Sequence, residues 1–275
     1  VLAMFVVFFF ATIINFRSHA EIINTLFYDK TPLPVLIFLI VLASLFIASL
    51  GFESIGRTAW LILPTFLALM VLLVILAWPQ LTFGFLFPIA GPGFGTLVKE
   101  SVKHSAIVTE VIVLASLYTF VRTDREFRKS SAIGVIFSCF QLAFFFIVIV
   151  LAFDYPSVAH MNFPYQQLTR FVTIGPIISH IEGLFLGFWS LVTAIHFAIY
   201  LFLNAYVLGS LLKINDYRRL LIPLAGLVFF VSLIPENVFT VLNYRKQLIG
   251  FGSFYSCSLV VLLWVVDKWK RRESS

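Results

Sequence analysis

Charge is scarce in this sequence: Asp, Glu, Lys and Arg together supply 12% of its 275 residues. A soluble domain carries about 25% charged residues. Nor can such a domain bury all of the 61% hydrophobic residues found here, a set in which Phe alone occurs 33 times. Cysteine is almost absent. Cys139 and Cys257 each lie in an apolar run, which excludes a disulfide framework and a cysteine metal motif. Also missing are H-E-x-x-H, C-x-x-C, a Walker sequence and a dinucleotide fingerprint. The stretch GPGFG lacks both the lysine and the strand–turn–helix context that a phosphate loop needs. These absences argue against an enzyme, and no cofactor or metal is expected. The 19 basic and 13 acidic residues leave a net charge of +6. The basic residues sit between apolar runs, so they report membrane topology and not nucleic-acid binding.

Apolar runs are what the chain has in quantity. A bilayer-spanning helix needs about 20 mostly apolar residues. Runs at about 1–16, 34–52, 58–78, 104–121, 130–153, 183–212, 219–235 and 248–266 predict eight spans and an all-α polytopic membrane protein, the short first run being either truncated or continued through Arg17. The chain opens at Val1 inside an apolar run with no charged region before it. That start does not read as a signal peptide, and it leads to the expectation of further sequence upstream.

The basic residues predict an orientation. With the C-terminus cytoplasmic, Arg57, Arg122, Arg125, Arg128, Lys129, Lys213, Arg218, Arg219, Lys268, Lys270, Arg271 and Arg272 fall inside. Arg17, Lys30, Lys99, Lys103, Arg170, Arg245 and Lys246 then fall outside or at outer span ends. The clusters RTDREFRK and KWKRR decide the choice. Two outer connections stand out. Residues 78–98 carry no charge, and Gly91-Pro92-Gly93 marks a backbone break there. This stretch reads equally as a half-inserted segment or as an apolar loop on the bilayer. Residues 154–179 are expected to include a short amphipathic segment.

Polar groups at membrane depth are costly unless paired, protonated or wetted, so each is a candidate for function. Glu110, flanked by apolar residues in SAIVTEVIVLASLYTF, suits an ammonium ligand, a cation or a proton relay. Its plainer reading is a neutral or paired carboxylate that fixes packing. His196 lies midway along the 183–212 run and reads either as a proton relay or ligand contact, or as a buried donor to a neighbouring carbonyl. Asn204, two turns on, is expected to make an interhelical hydrogen bond. Glu53 and Arg57 stand four apart, the spacing of a helical ion pair, which serves gating or structure. His180 and Glu182 mark the start of the sixth run, where a carboxylate near a helix N-terminus is favourable in itself.

The chain also resembles the spore germination permeases, the B-type subunits of bacterial nutrient germinant receptors, within the amino acid–polyamine–organocation transporter superfamily. The resemblance covers the whole chain. It rests on Thr31-Pro32, Gly51-x-Glu53-x-x-Gly56-Arg57, Glu110, Pro164-Tyr165, Arg170, Ile174-Gly175, Glu182 and Trp189. It departs at His180-Ile181-Glu182, where relatives tend to carry Arg before the Glu, and at His196, where Lys is more usual. The resemblance implies a ten-helix inverted-repeat transporter fold in which the eight visible spans are the last eight and the first two are missing. Residues 1–275 would form a single transmembrane domain. About 1–78 would be the remainder of the first repeat, about 96–266 the second, and 267–275 a cytoplasmic tail. Glu110 would lie on the broken helix of the midplane site.

The function this implies is a membrane subunit of a spore nutrient germinant receptor in the spore inner membrane. It would bind a small amino acid or related nutrient and act with other receptor subunits. Glu110, His196 and Asn204 are the candidates for ligand binding or proton relay. Glu53, Arg57, Arg170, His180 and Glu182 are the gating or structural polar groups. Two alternatives are a proton- or sodium-coupled amino-acid permease and a structural membrane subunit without a ligand of its own.

Overall fold

The computed structural model describes residues 2–89, 91, 93–104, 115–172, 181–248, 250, 252, 258, 261, 268 and 269. Every helix and strand assigned among them is a helix: α1 (Leu2–Leu26), α2 (Leu33–Ser49), α3 (Phe52–Ala77), α4 (Phe94–His104), α5 (Asp124–Phe153), α6 (Tyr155–His160), α7 (Pro164–Phe171), α8 (Ile181–Leu212) and α9 (Arg218–Ser232). The chain divides into two compact units. The first comprises Val1–Phe87 with Gln141–Leu242, and the second comprises Pro88–Phe140 with Asn243–Ser275.

The expectation of eight spans out of ten is overturned. Among the described residues four helices are long and apolar enough to cross a membrane: Leu2–Leu26, Phe52–Gln80, Asp124–Phe153 and Gly183–Leu212. Helix α2 has 17 residues and α9 has 15. At 1.5 Å per residue they reach about 26 and 22 Å, short of the roughly 30 Å hydrocarbon core. Apolar composition alone therefore overcounted spans. The run at 104–121 lies largely outside the described residues, and so does that at 248–266.

In the first unit α8 is the central post. It packs against α1, α2, α3 and α9, and Phe197, Ala198, Leu201, Phe202, Leu203 and Ala205 along it are buried. An apolar helix without a polar face belongs inside a bundle, and its alanines let neighbours approach closely. The rings of Phe16 on α1 and Phe197 on α8 stack with centroids 4.0 Å apart. Helix α3 is the opposite case: only 6% of its apolar window is buried, against 67% for α8. Its Trp60 and Leu61 point outward, a surface that suits hydrocarbon and not water. A second apolar cluster joins Leu73 and Ala77 of α3, Phe145, Val148, Ile149 and Ala152 of α5, Leu168 of α7 and Phe185 of α8.

The connections follow local chemistry. Asn24 near the end of α1 donates through Nδ2 to the carbonyls of Tyr28 and Thr31, at 2.9 and 2.7 Å, closing the turn before Pro32. Gly51 precedes α3 at φ 90 and ψ 168, a backbone region essentially confined to glycine. Asp154 caps α6, its carboxylate accepting from the Ser157 amide at 2.7 Å. The end of α8 closes as a Schellman turn: the Ile214 amide donates to the Gly209 carbonyl at 2.8 Å, with Lys213 at φ 56.

Candidate functional site: a polar seam along helix α1

Helix α1 carries the residues least expected inside an apolar bundle. Thr12, Asn15, Arg17, Ser18 and Glu21 are all buried. Helical spacing sorts them into two sets. Thr12, Phe16 and His19 follow one another at three or four residues and meet α8. Arg17 and Glu21, four apart, lie on another side of the helix, where Arg17 meets the end of α9.

On the α8 side, the Thr12 hydroxyl donates to the Phe8 carbonyl at 2.7 Å. Nδ2 of Asn204 donates to Thr12 Oγ1 and to the Tyr200 carbonyl, both at 2.8 Å. Asn204 Oδ1, equally buried, has no hydrogen-bond partner among the described residues. That is an acceptor stripped of water and left without a donor, which costs free energy. About two turns along from Thr12, His19 Nδ1 donates to the Asn15 carbonyl at 3.0 Å. Its ring stacks on Trp189 at 5.5 Å and meets Phe197 edge-on at 4.9 Å.

On the α9 side, Arg17 closes on Glu21. Its Nε and Nη2 lie 2.9 and 2.7 Å from the same carboxylate oxygen, with the two side chains 6% and 10% exposed. Nη1 reaches the Ser232 carbonyl at 3.4 Å, the last residue of α9. A guanidinium thus meets the negative end of a helix that stops inside the bundle. Paired burial is the condition under which such charges persist away from water, since removing either partner leaves the other uncompensated.

The residues singled out from the sequence fall in several places. Asn204 is within this seam. His196 is half-buried on α8, its ring 4.9 Å from that of Tyr200. Glu53 and Arg57 pair at 2.6 Å, but both side chains are 79% exposed, a setting in which an ion pair contributes roughly 0–1 kcal/mol. Arg170 is exposed in the last turn of α7. Glu182 is the second residue of α8. Glu110, His180, Ile174, Gly175 and Cys257 lie outside the described residues.

The first span continues through Arg17, which is buried inside α1 and does not stand at an outer end. A carboxylate, Glu21, is buried in the same helix. The available signal was the Arg–Glu spacing in NFRSHAEII, which lets two charges cancel within one helix. Among the described residues no group of three His, Cys, Asp or Glu could hold a metal ion.

Long apolar helices around a buried, paired polar seam define an α-helical membrane protein. The family model described as "Spore germination protein" matches residues 1–240, and the chain belongs to that family. Among curated proteins, "Spore germination protein XB" of Bacillus anthracis is 24% identical over 233 residues, which are 80% of this chain and 63% of that protein. No solved structure matches the chain. Several residues that carried the resemblance have visible local roles: Gly51 at its positive φ before α3, Pro164 opening α7, and Trp189 against His19. Tyr165 lies with its ring 6.1 and 5.8 Å from those of Phe145 and Phe146.

Proposed function

We propose that this chain is the membrane subunit of a spore nutrient germinant receptor. It binds a small amino acid or related nutrient within its helices and passes that state to other receptor subunits, in the spore inner membrane with its C-terminus cytoplasmic. Membership of the spore germination family supports the link to germination. The observation that carries the reading is the seam itself. A membrane anchor needs only apolar packing, whereas α1 buries an Arg–Glu pair of its own, meets α9 through a helix-end carbonyl and meets α8 through an Asn–Thr bond. Such contacts re-pair when helices shift, which suits a subunit that must report occupancy.

Glu110, His196 and Asn204 are the proposed ligand or proton-relay groups. Glu53, Arg57, Arg170, His180 and Glu182 are proposed to gate or brace the bundle. The test is thermal unfolding of the purified full chain against a panel of L-amino acids. Stabilisation that grows with the concentration of a small subset supports a ligand site. A flat response to the whole panel favours a structural subunit.

A second reading, a proton- or sodium-coupled amino-acid permease, is favoured by the unpartnered Asn204 Oδ1, an acceptor of the kind a cation seeks. Radiolabelled uptake into proteoliposomes under an imposed proton or sodium gradient separates the two. A receptor binds without accumulating solute.

A further inference from the structure

The start of α5 carries a strongly basic surface that the seam does not use. Arg125, Arg128 and Lys129 recur at spacings of three and four residues, so they share one face of the helix, and Arg122 stands just before it. All four are exposed. With Asp124, the three helical cations line a recess of about 670 Å³, within the range of small-ligand sites. Asp124 on its rim is held in place. The Tyr118 hydroxyl donates to the Asp124 carboxylate, and the Tyr118 ring meets Phe127 edge-on at 5.2 Å. The α5 N-terminus has its own partner in Thr123, whose hydroxyl accepts from the Glu126 amide at 3.3 Å. An anion in the recess would therefore be met by the cationic side chains.

Position along the helix identifies the occupant. From Ala132 to Phe153 the helix is apolar apart from Ser138 and Gln141, and that length reaches about 33 Å, enough to cross a hydrocarbon core of roughly 30 Å. Lys129 precedes Ala132 by less than one turn, and Arg125 lies about one turn further out. The cations are thereby set at the depth of lipid phosphates. We propose that this face of α5 is a docking site for the phosphate-bearing headgroup of an anionic phospholipid. Basic clusters beside a spanning helix draw such lipids. Arg adds forked hydrogen bonding to phosphate oxygens.

The experiment uses the full chain in nanodiscs of phosphatidylcholine mixed with phosphatidylglycerol, with the lipids retained on the protein counted by native mass spectrometry. Phosphatidylglycerol should be enriched over phosphatidylcholine, and added salt should reduce the enrichment. The enrichment should fall about fivefold for each charge removed across Arg125→Gln, Arg128→Gln and Lys129→Gln. Asp124→Asn should raise it, a change of sign that general loss of structure would not give. All these side chains are exposed, so unfolding curves should match the parent's. Wild-type enrichment in the triple variant would overturn the proposal. So would displacement of the lipid by soluble glycerol phosphate, which assigns the recess to free phosphate, or tighter binding of polyglutamate than of the lipid, which assigns it to an acidic protein.

Discussion

Arg17 and Glu21 close on one another at 2.7 Å inside α1, and the same guanidinium reaches the last carbonyl of α9. One residue thus pairs a buried acid and caps a helix that ends within the bundle. Breaking the pair from one side should be costly. Arg17→Met or Glu21→Leu alone is expected to lower stability by about 3–5 kcal/mol, because one buried charge is left alone. The double variant should recover most of that loss. Thermal unfolding of the four proteins in one detergent measures the coupling directly.

Asn204 presents a different balance. Asn204→Leu removes the bond to Thr12 but also removes the unpartnered Oδ1. Interhelical hydrogen bonds in membrane proteins average about 0.6 kcal/mol. The variant is therefore expected to unfold within about 1 kcal/mol of the parent while losing nutrient response. Equal loss of fold and response would make Asn204 a packing residue.

The Tyr118 phenol should titrate above the ordinary value of 10.0. Its hydroxyl donates to Asp124, and that carboxylate's charge opposes a second negative charge beside it. A raised phenol pKa means that the contact is fully present below the unfolded value and is lost as pH rises through the folded one. Ultraviolet titration should show Tyr118 ionising later than an exposed tyrosine, and Asp124→Asn should bring it back. Burial pushes Tyr165 on α7 further, to about 12. Tyr165→Phe should accordingly remove one late-ionising phenol from the titration.

Much of the architecture was legible. The runs at 34–52, 58–78, 130–153 and 183–212 correspond to α2, α3, α5 and α8, because long apolar stretches announce themselves by composition. Their ends were not legible. Helix α3 begins at Phe52 because Gly51 supplies the break, and the exposed Glu53 and Arg57 continue the helix past the end of its apolar run. Helix α5 likewise starts at Asp124, inside the charged cluster. The end of α1 was open in the sequence, at about residue 16 or beyond Arg17. Glu21 one turn later neutralises Arg17, so the helix continues to Leu26 with both charges buried. Hydropathy scores residues singly and cannot register that cancellation. Asn204 could be read as an interhelical donor, but its partner Thr12 lies 192 residues away, a pairing that no local pattern encodes.

Glu110→Gln tests one proposed ligand group without removing its bulk. Spores carrying it are expected to hold normal amounts of the protein in their membranes and to need much more nutrient to germinate. Unchanged abundance with an unchanged dose–response would return Glu110 to a packing role.

The most direct measurement is binding of L-amino acids to the purified full chain, read as a concentration-dependent rise in unfolding temperature. The expected result is that a small subset stabilises the parent, by about 2.7 kcal/mol at a hundredfold excess over Kd. Glu110→Gln and Asn204→Leu should show little of that shift while remaining folded. No stabilisation by any amino acid, or equal stabilisation of parent and both variants, would contradict a nutrient site at these residues.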